Sequence, residues 1–315
     1  MKIWKLFVLF IGFAFSAHAQ ELNLDAFLDK ANLATAEYTK TFKNLTAEEL
    51  RTLDYFRKDD SLEDSRKIRS IFVVYQSPKN NLIAEYRNIV EFNGKKVERS
   101  DDDIADFFGK LSKAGSSDEE VARLRKEGNR FDGKSHSYGM TLLQAFFLNR
   151  YFRPSFEFRV AGKEQIEGRD AIIIEYNQIA ACARIKANAT DEEKKKEPYG
   201  ITFDTELPSS FRPTNPRLQG KIWLDAETAR LWRNEFTVSI QPAFLSKPAV
   251  SANFFYEYQS SEFGILLPKK FSMIGYRFSG KSEKDMTKSK AFTKTYEYSK
   301  FSKPESEIKG TRTGN

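Results

Sequence analysis

Along LIAEYRNIVEF, Leu82, Ala84, Tyr86, Val90 and Phe92 alternate with Glu85, Arg87 and Glu91, and only Ile83 and Ile89 fall out of step. A period of two predicts a strand with one face buried. Asn93-Gly94 follows at once and supplies the positive φ that a tight hairpin needs. Upstream, LDAFLDKANLATAEYTKTF carries Leu24, Phe27, Leu28, Ala31, Ala34 and Tyr38 at helical spacing, which predicts an amphipathic helix. Between the two, EELRTLDYFRKDDSLEDSRKIRSIFVVYQ reads as two extended segments around a polar KDDS turn, while the LTAEEL opening equally fits the start of a helix.

The pattern changes over residues 100–150, where helical segments are expected. Ser100 precedes three acids, Asp101, Asp102 and Asp103, which suit the positive end of a helix dipole. Ser117 and Glu120 have capping-box spacing, with Gly128 as the stop. GMTLLQAFFLNRYF is almost wholly apolar and predicts a buried helix of about three turns, ended before Pro154.

Beyond Pro154 strand follows strand. FEFRVAG and KEQIEGRDAIIIEYN read as a meander with Phe156, Phe158, Val160, Ile172, Ile174 and Tyr176 on one face. Residues 183–216 are polar, charged and broken by Pro198, Pro208, Pro213 and Pro216, so a surface insertion is expected there. The strands then resume. In ARLWRNEFTVSI, Trp232, Phe236 and Val238 alternate with Leu231, Arg233, Glu235 and Thr237, which predicts one aromatic and one mainly polar face, while Trp223 points opposite to Ile222 and Leu224. Short connections between successive strands read as antiparallel. The expected class is α+β: one domain over residues 20–302, a large antiparallel sheet with helices on one face and a helical insertion at about 100–150, followed by a basic tail at 303–315.

The first residues add a compartment. Lys2 and Lys5, the apolar run Leu6 to Phe15 and then Ala17-His18-Ala19 have the form of a secretory signal peptide over residues 1–19, with cleavage after Ala19 and a periplasmic destination. Ten apolar residues make a helix of only about 15 Å, half of what a span requires. Cys182 is the single cysteine, so no disulfide forms within the chain and stability must come from burial, for which 28 Phe and 13 Tyr supply the material. The net charge of +7 is mixed along most of the sequence, without the basic and aromatic interleaving of a nucleic-acid face.

At this point three stretches resemble a known superfamily. FRVAGKEQIEGRDAIIIEY resembles the strand-turn-strand of the LolA/LolB lipoprotein carriers and their RseB-type relatives, with its G-x-E-x-x-x-G-R hairpin. GKIWLDAETARLWRNEF is similar to the next signature, and FGILLPKKFSM to the later L-P strand. The resemblance departs at Ala229, where the family usually carries glycine. It implies an initial helix followed by a strongly curved sheet, a half-open β-barrel whose concave side is apolar. It further implies lipid or lipoprotein acyl chains as partners, or, in the RseB-like alternative, an envelope membrane protein.

Chemistry narrows the choice. His136 is the one histidine left after the signal, in the polar loop GKSHSYG, and no G-x-S-x-G elbow accompanies it. A Cys182/His136 pair is the remaining hydrolase candidate, against a buried inert thiol and a solvated histidine. One histidine and one cysteine do not make a zinc or iron site, and no dinucleotide or nucleotide phosphate loop is present. The expectation is therefore a monomeric, non-enzymatic protein without metal or cofactor, and without a nucleic-acid partner. Its candidate ligand-binding residues are Tyr86, Phe92, Phe156, Phe158, Trp232 and Phe236, chosen from strand alternation on the presumed concave face.

Overall fold

The structure, a computed structural model, describes residues 22–303 except 81, 99–100, 134–138, 191, 194–199, 204–214, 242–244 and 281. The signal segment, His136, Ser100 and the terminal tail lie outside the described residues. Helix α1 (Leu24–Phe42) begins at Asn23, whose side chain accepts from the Ala26 N–H, and buries Phe27, Leu28, Ala31, Tyr38 and Phe42. Strands β1 (Thr46–Phe56), β2 (Leu62–Gln76) and β3 (Ile83–Phe92) follow, and the Asn93-Gly94 turn leads into the two-residue β4 (Lys95–Lys96). Helices α2 (Asp101–Ser112) and α3 (Ser117–Gly128) come next; the N-cap of α3 is Ser116, one residue before the expected position. After them come β5 (Phe156–Ile166), β6 (Arg169–Gln178), β7 (Ile185–Ala187), β8 (Ile201–Phe203), β9 (Arg217–Asp225), β10 (Leu231–Ile240), β11 (Ala249–Gln259), β12 (Leu267–Ser279) and β13 (Thr287–Ser302).

Eleven of these strands form one sheet in the order β4-β3-β2-β1-β13-β12-β11-β10-β9-β6-β5, antiparallel throughout. β4 and β5 do not pair with each other, so the sheet is not closed into a barrel. It is nevertheless strongly curved. Thr141 is bonded to Glu85 on β3, and the carbonyl of Gln144 to Asn234 on β10. Three residues of chain reach at most about 11 Å. Six strand intervals laid flat would separate β3 from β10 by about 29 Å, more than two short side chains can make up. The sheet therefore curls toward the segment that both strands hold.

Alternation assigns the two faces. Along β1, Ala47, Glu49, Arg51, Leu53 and Tyr55 are buried and the residues between them half-buried. α1 packs on this inner face: Phe42 contacts Phe72 of β2 and Phe301 of β13, and Tyr38 contacts Tyr258 of β11. α2 and α3 lie instead against β3, where Leu111, Val121 and Leu124 pack with Ala84 and Tyr86 in a cluster separate from the main core.

Two expectations are corrected by the fold. GMTLLQAFFLNRYF is not a helix; within it only Phe146–Leu148 makes a single 3-10 turn, and a second follows at Arg153–Ser155. Within it the backbone makes only isolated turn bonds, such as Leu143 N–H to the Gly139 carbonyl and Leu148 N–H to the Ala145 carbonyl, and other groups bond to the sheet and α1: the Thr141 N–H to Glu85, the Thr141 carbonyl to Tyr38 and the Gln144 carbonyl to Asn234. Tertiary partners thus replace the helical ladder. Nor is the 183–216 insertion wholly at the surface. β7 and β8 form a small parallel pair whose Ile185 and Ile201 are buried in the main core, and Phe203 meets Phe236 and Phe254 edge-on. These apolar side chains gain more from that contact than from water, despite the polar sequence around them.

Candidate functional site

The inner face divides into an aromatic half and a charged half. In register across the strands, Phe158, Tyr176, Gly220, Phe236, Phe254, Met273, Lys294 and Leu53 form one row from β5 to β1. The adjacent row runs Val160, Ile174, Ile222, Asn234, Tyr256, Phe271, Tyr296 and Arg51. Rings stack along these rows: Phe236 on Phe254 at 4.5 Å and 6°, Tyr256 near Phe271 at 4.7 Å, and Phe271 near Tyr296 at 5.2 Å. Gly220 interrupts the first row because nothing larger fits. A Cβ there would stand 2.2 Å from the Glu235 carbonyl and 2.7 Å from Phe236 Cβ. Gly220→Ala is accordingly expected to cost at least about 2 kcal/mol through a forced backbone shift, measurable as a lower midpoint of chemical denaturation.

The segment Gly139–Phe152 crosses this wall. Phe147 is fully buried and stacks on Tyr176 at 4.0 Å, with Phe156 and Phe158 5.9 and 6.3 Å away. The Tyr176 hydroxyl donates to Asn234 Oδ1 at 2.9 Å, and Asn234 donates through Nδ2 to the Gln144 carbonyl at 3.0 Å. Burial pushes the Tyr38, Tyr176 and Tyr256 hydroxyls well above their ordinary range. Tyr38 and Tyr176 thus act as neutral hydrogen-bond donors, to the Thr141 carbonyl and to Asn234.

Four of the six residues named from the sequence lie on the inner side: Phe156, Phe158 and Phe236 on the aromatic wall, and Phe92 at the far end of the second row, stacked on Phe131 at 4.5 Å. The other two do not join them, and in both cases a β-bulge is the cause. Between β2 and β3 the register slips at Arg69/Ser70, which opposes Glu91 and Ile89 and leaves Val90 as the extra residue. Phe92 therefore turns inward while Tyr86 turns outward, onto Phe107 and Phe108 of α2. Between β9 and β10 the slip falls at Leu231/Arg233 and leaves Trp232 as the extra residue. Trp232, only 1% exposed, packs with Trp223 and Ala171 in an outer cluster apart from Phe236. A bulge reverses the phase of everything on one side of it. Trp223 itself donates from Nε1 to Glu164 at 2.6 Å and lies under the Arg233 guanidinium.

The charged half escaped sequence reasoning. Glu49, Arg51, Glu85, Arg87, Asp132 and Lys294 are all buried, three acids against three bases. Arg51 donates to Asp132 at 2.5 Å and to the Gly128 carbonyl at 2.9 Å; Arg87 donates to Glu49 and to Glu85, each at 2.9 Å. Glu85 also accepts from the N–H groups of Gly139 and Thr141 and from the Thr141 hydroxyl, so the wall-crossing segment is anchored on a charge. The available signal was phase: Glu49 and Arg51 stand in step with Leu53 and Tyr55, at inward positions of a strand.

Burial pushes the Lys294 ammonium down to about 8, against a partial upward pull from Asp132. Below that pH Lys294 is charged in both folded and unfolded chains, and the burial cost is fully present. Between about pH 8 and the unfolded value of about 10.4 the unfolded chain holds the extra proton, so stability rises with pH. Lys294→Met should therefore be more stable than the parent by roughly 3 kcal/mol at pH 7, a gap that closes toward pH 10. Urea denaturation at successive pH values reads it directly.

On the opposite face, a groove of about 790 Å³ crosses β5, β6, β9, β10 and β11. It runs between the rows that begin Glu157, Asn177, Gln219 and Arg159, Glu175, Lys221, and its floor is the backbone of the wall residues. Its walls carry charged and amide side chains together with Phe255 of β11. Cys182 is buried in the main core.

No family model matches the chain, and no curated protein matches it. Among solved structures the chain is similar to a LolA superfamily protein from Nitrosomonas europaea, at 10% identity and TM-score 0.29 over 89% of this chain and 93% of that one. It is also similar to a domain named for outer membrane lipoprotein sorting from Vibrio parahaemolyticus, at 9% identity and TM-score 0.33 over 90% and 95% of the two chains. A DUF1329 family protein from Desulfovibrio piger stands alongside, at 9% identity and TM-score 0.32 over 90% and 93%. The fold assignment rests on the strand order and register given above.

Proposed function

We propose that this chain is an exported binding protein of the cell envelope that holds an apolar chain, of a lipid or an acylated protein, against the aromatic inner wall. The observation that carries the reading is the wall itself: rings in register from β5 to β13, covered by α1, by the short β7–β8 pair and by the irregular segment Gly139–Phe152. The chain's own Phe147 occupies the wall against Tyr176, so a guest must displace that ring. About a dozen buried methylenes contribute roughly 10 kcal/mol. Lifting Phe147 off its neighbours costs about 3–5 kcal/mol. The exchange is favourable for a long acyl chain and unfavourable for a short one.

Titration with fatty acids of increasing length tests this. Binding should strengthen with chain length and weaken at least tenfold in Phe158→Ala, whose ring is half-buried at the β5 end of the wall. Tryptophan fluorescence is a poor reporter, because Trp223 and Trp232 both lie in the outer cluster; calorimetry or native mass spectrometry is the suitable readout. Purification of the protein with a stoichiometric envelope protein and no lipid would favour an RseB-like interaction module instead.

A further inference from the structure

The two edges of the sheet are treated differently. At one end β3 is shielded by α3 and followed by the two-lysine stub β4, which is how an edge is protected from pairing. At the other end β5 pairs with β6 on one side only; among the described residues no α-helix shields its other side, and its bulge at Val160/Gly162 and the charges Lys163 and Glu164 guard only its second half. The strand divides at a register slip between Val160 and Gly162. From Phe156 to Val160 the pairing with β6 is regular, and this flat half ends in Val160, 45% exposed on the inner side.

We propose that a second copy of this chain adds to β5 by antiparallel pairing about a two-fold axis at Phe158, making one continuous sheet of two subunits. The charge pattern selects both the occupant and the register. Opposed residues of an antiparallel pair share a face, so a two-fold pairing places each residue opposite one at the same distance beyond the axis. Centred on Glu157 or on Arg159, the pairing sets like charges against each other. Centred on Phe158, it sets Glu157 against Arg159 twice on the outer face. On the inner face it sets Phe156 against Val160, covering the exposed valine. On the outer face both charged side chains also meet β6, Glu157 accepting from Asn177 and Arg159 pairing with Glu175. Five residues from each copy make a small interface, so the association is reversible and grows with concentration.

Sedimentation equilibrium of the full mature chain, over a wide concentration range, tests the pairing. The wild type should pass from monomer to dimer. Arg159→Glu creates two like-charge pairs and should raise the dissociation constant at least tenfold. The combined Glu157→Arg/Arg159→Glu exchange inverts both pairs and should restore most of the loss, with circular dichroism confirming that each variant folds. The register is read independently by oxidation. Phe158→Cys faces itself across the axis and should form an intermolecular disulfide, whereas Val160→Cys faces Phe156 and should not; wild type, whose Cys182 is buried, is the control. If a charge variant fails to fold, the cysteine pair decides. A wild type that stays monomeric throughout overturns the proposal. So does a dimer indifferent to Arg159→Glu, or Val160→Cys crosslinking as fast as Phe158→Cys. None of these outcomes depends on whether an acyl chain binds the inner wall.

Discussion

Replacing Arg87 by methionine should destabilise the protein by about 3–5 kcal/mol, one of the two largest losses expected of any single substitution in this fold. The guanidinium lies between two buried carboxylates, bonded to Glu49 and Glu85 at 2.9 Å each, and over the rings of Phe72 and Tyr296 at 5.5 and 5.9 Å. Removing it leaves two acids in a nearly water-free interior with less compensation. Removing the acids as well should return much of the loss, because a buried ion pair contributes little beyond an apolar set of the same shape. The triple variant Glu49→Gln/Glu85→Gln/Arg87→Met is therefore expected to be more stable than Arg87→Met alone. Guanidinium denaturation of the parent and the two variants gives the comparison, and a triple variant no better than the single one would show that the charges hold the strands in place.

Phe147→Ala should cost a similar 3–5 kcal/mol, by a different route. The ring is fully buried against Tyr176, with Phe146, Phe156 and Phe158 around it. Its loss opens a cavity between the wall and the segment that covers it. If the cover collapses into the space, the loss will fall at the low end of the range; if Asn234 and Glu85 hold it in place, at the high end. The same variant has a second consequence under the proposed function. A guest no longer has to displace the ring, so affinity for a long-chain fatty acid should rise as stability falls. Denaturation midpoints and binding isotherms from the same preparation would check both.

The order of elements was legible in the sequence wherever period two met a clear turn. β2 and β3, the Asn93-Gly94 hairpin and the antiparallel run after Pro154 follow from local pattern, because strand alternation is written residue by residue; at β1 the LTAEEL opening fitted a helix start equally, and the structure makes it strand from Thr46. Ala229 shows the limit of motif reasoning. It adopts the left-handed conformation, φ 57°, that the resembling family usually gives to glycine, and is buried in doing so. The position of a side chain in the sheet was legible only up to the next bulge. At Val90 and Trp232 one residue is left over, and nothing in the local pattern distinguishes an extra residue from a continued strand. Apolar content alone did not fix the conformation of Gly139–Phe152 either, since the backbone partners that anchor it on the wall, Glu85, Tyr38 and Asn234, come from far along the chain. Glu49 and Arg51 look like surface residues until the partners that neutralise them are known.

The claim on which the account turns is that the inner wall admits a guest. Photo-crosslinking with a fatty acid carrying a diazirine near its methyl end, followed by peptide mapping, addresses it most directly. The account predicts adducts on the peptides of β5, β6, β10 and β11 that bear Phe158, Tyr176, Phe236 and Phe254, suppressed by excess unlabelled fatty acid. Adducts confined to α2 and α3 or to the outer tryptophan cluster, or labelling that excess ligand fails to suppress, would contradict it.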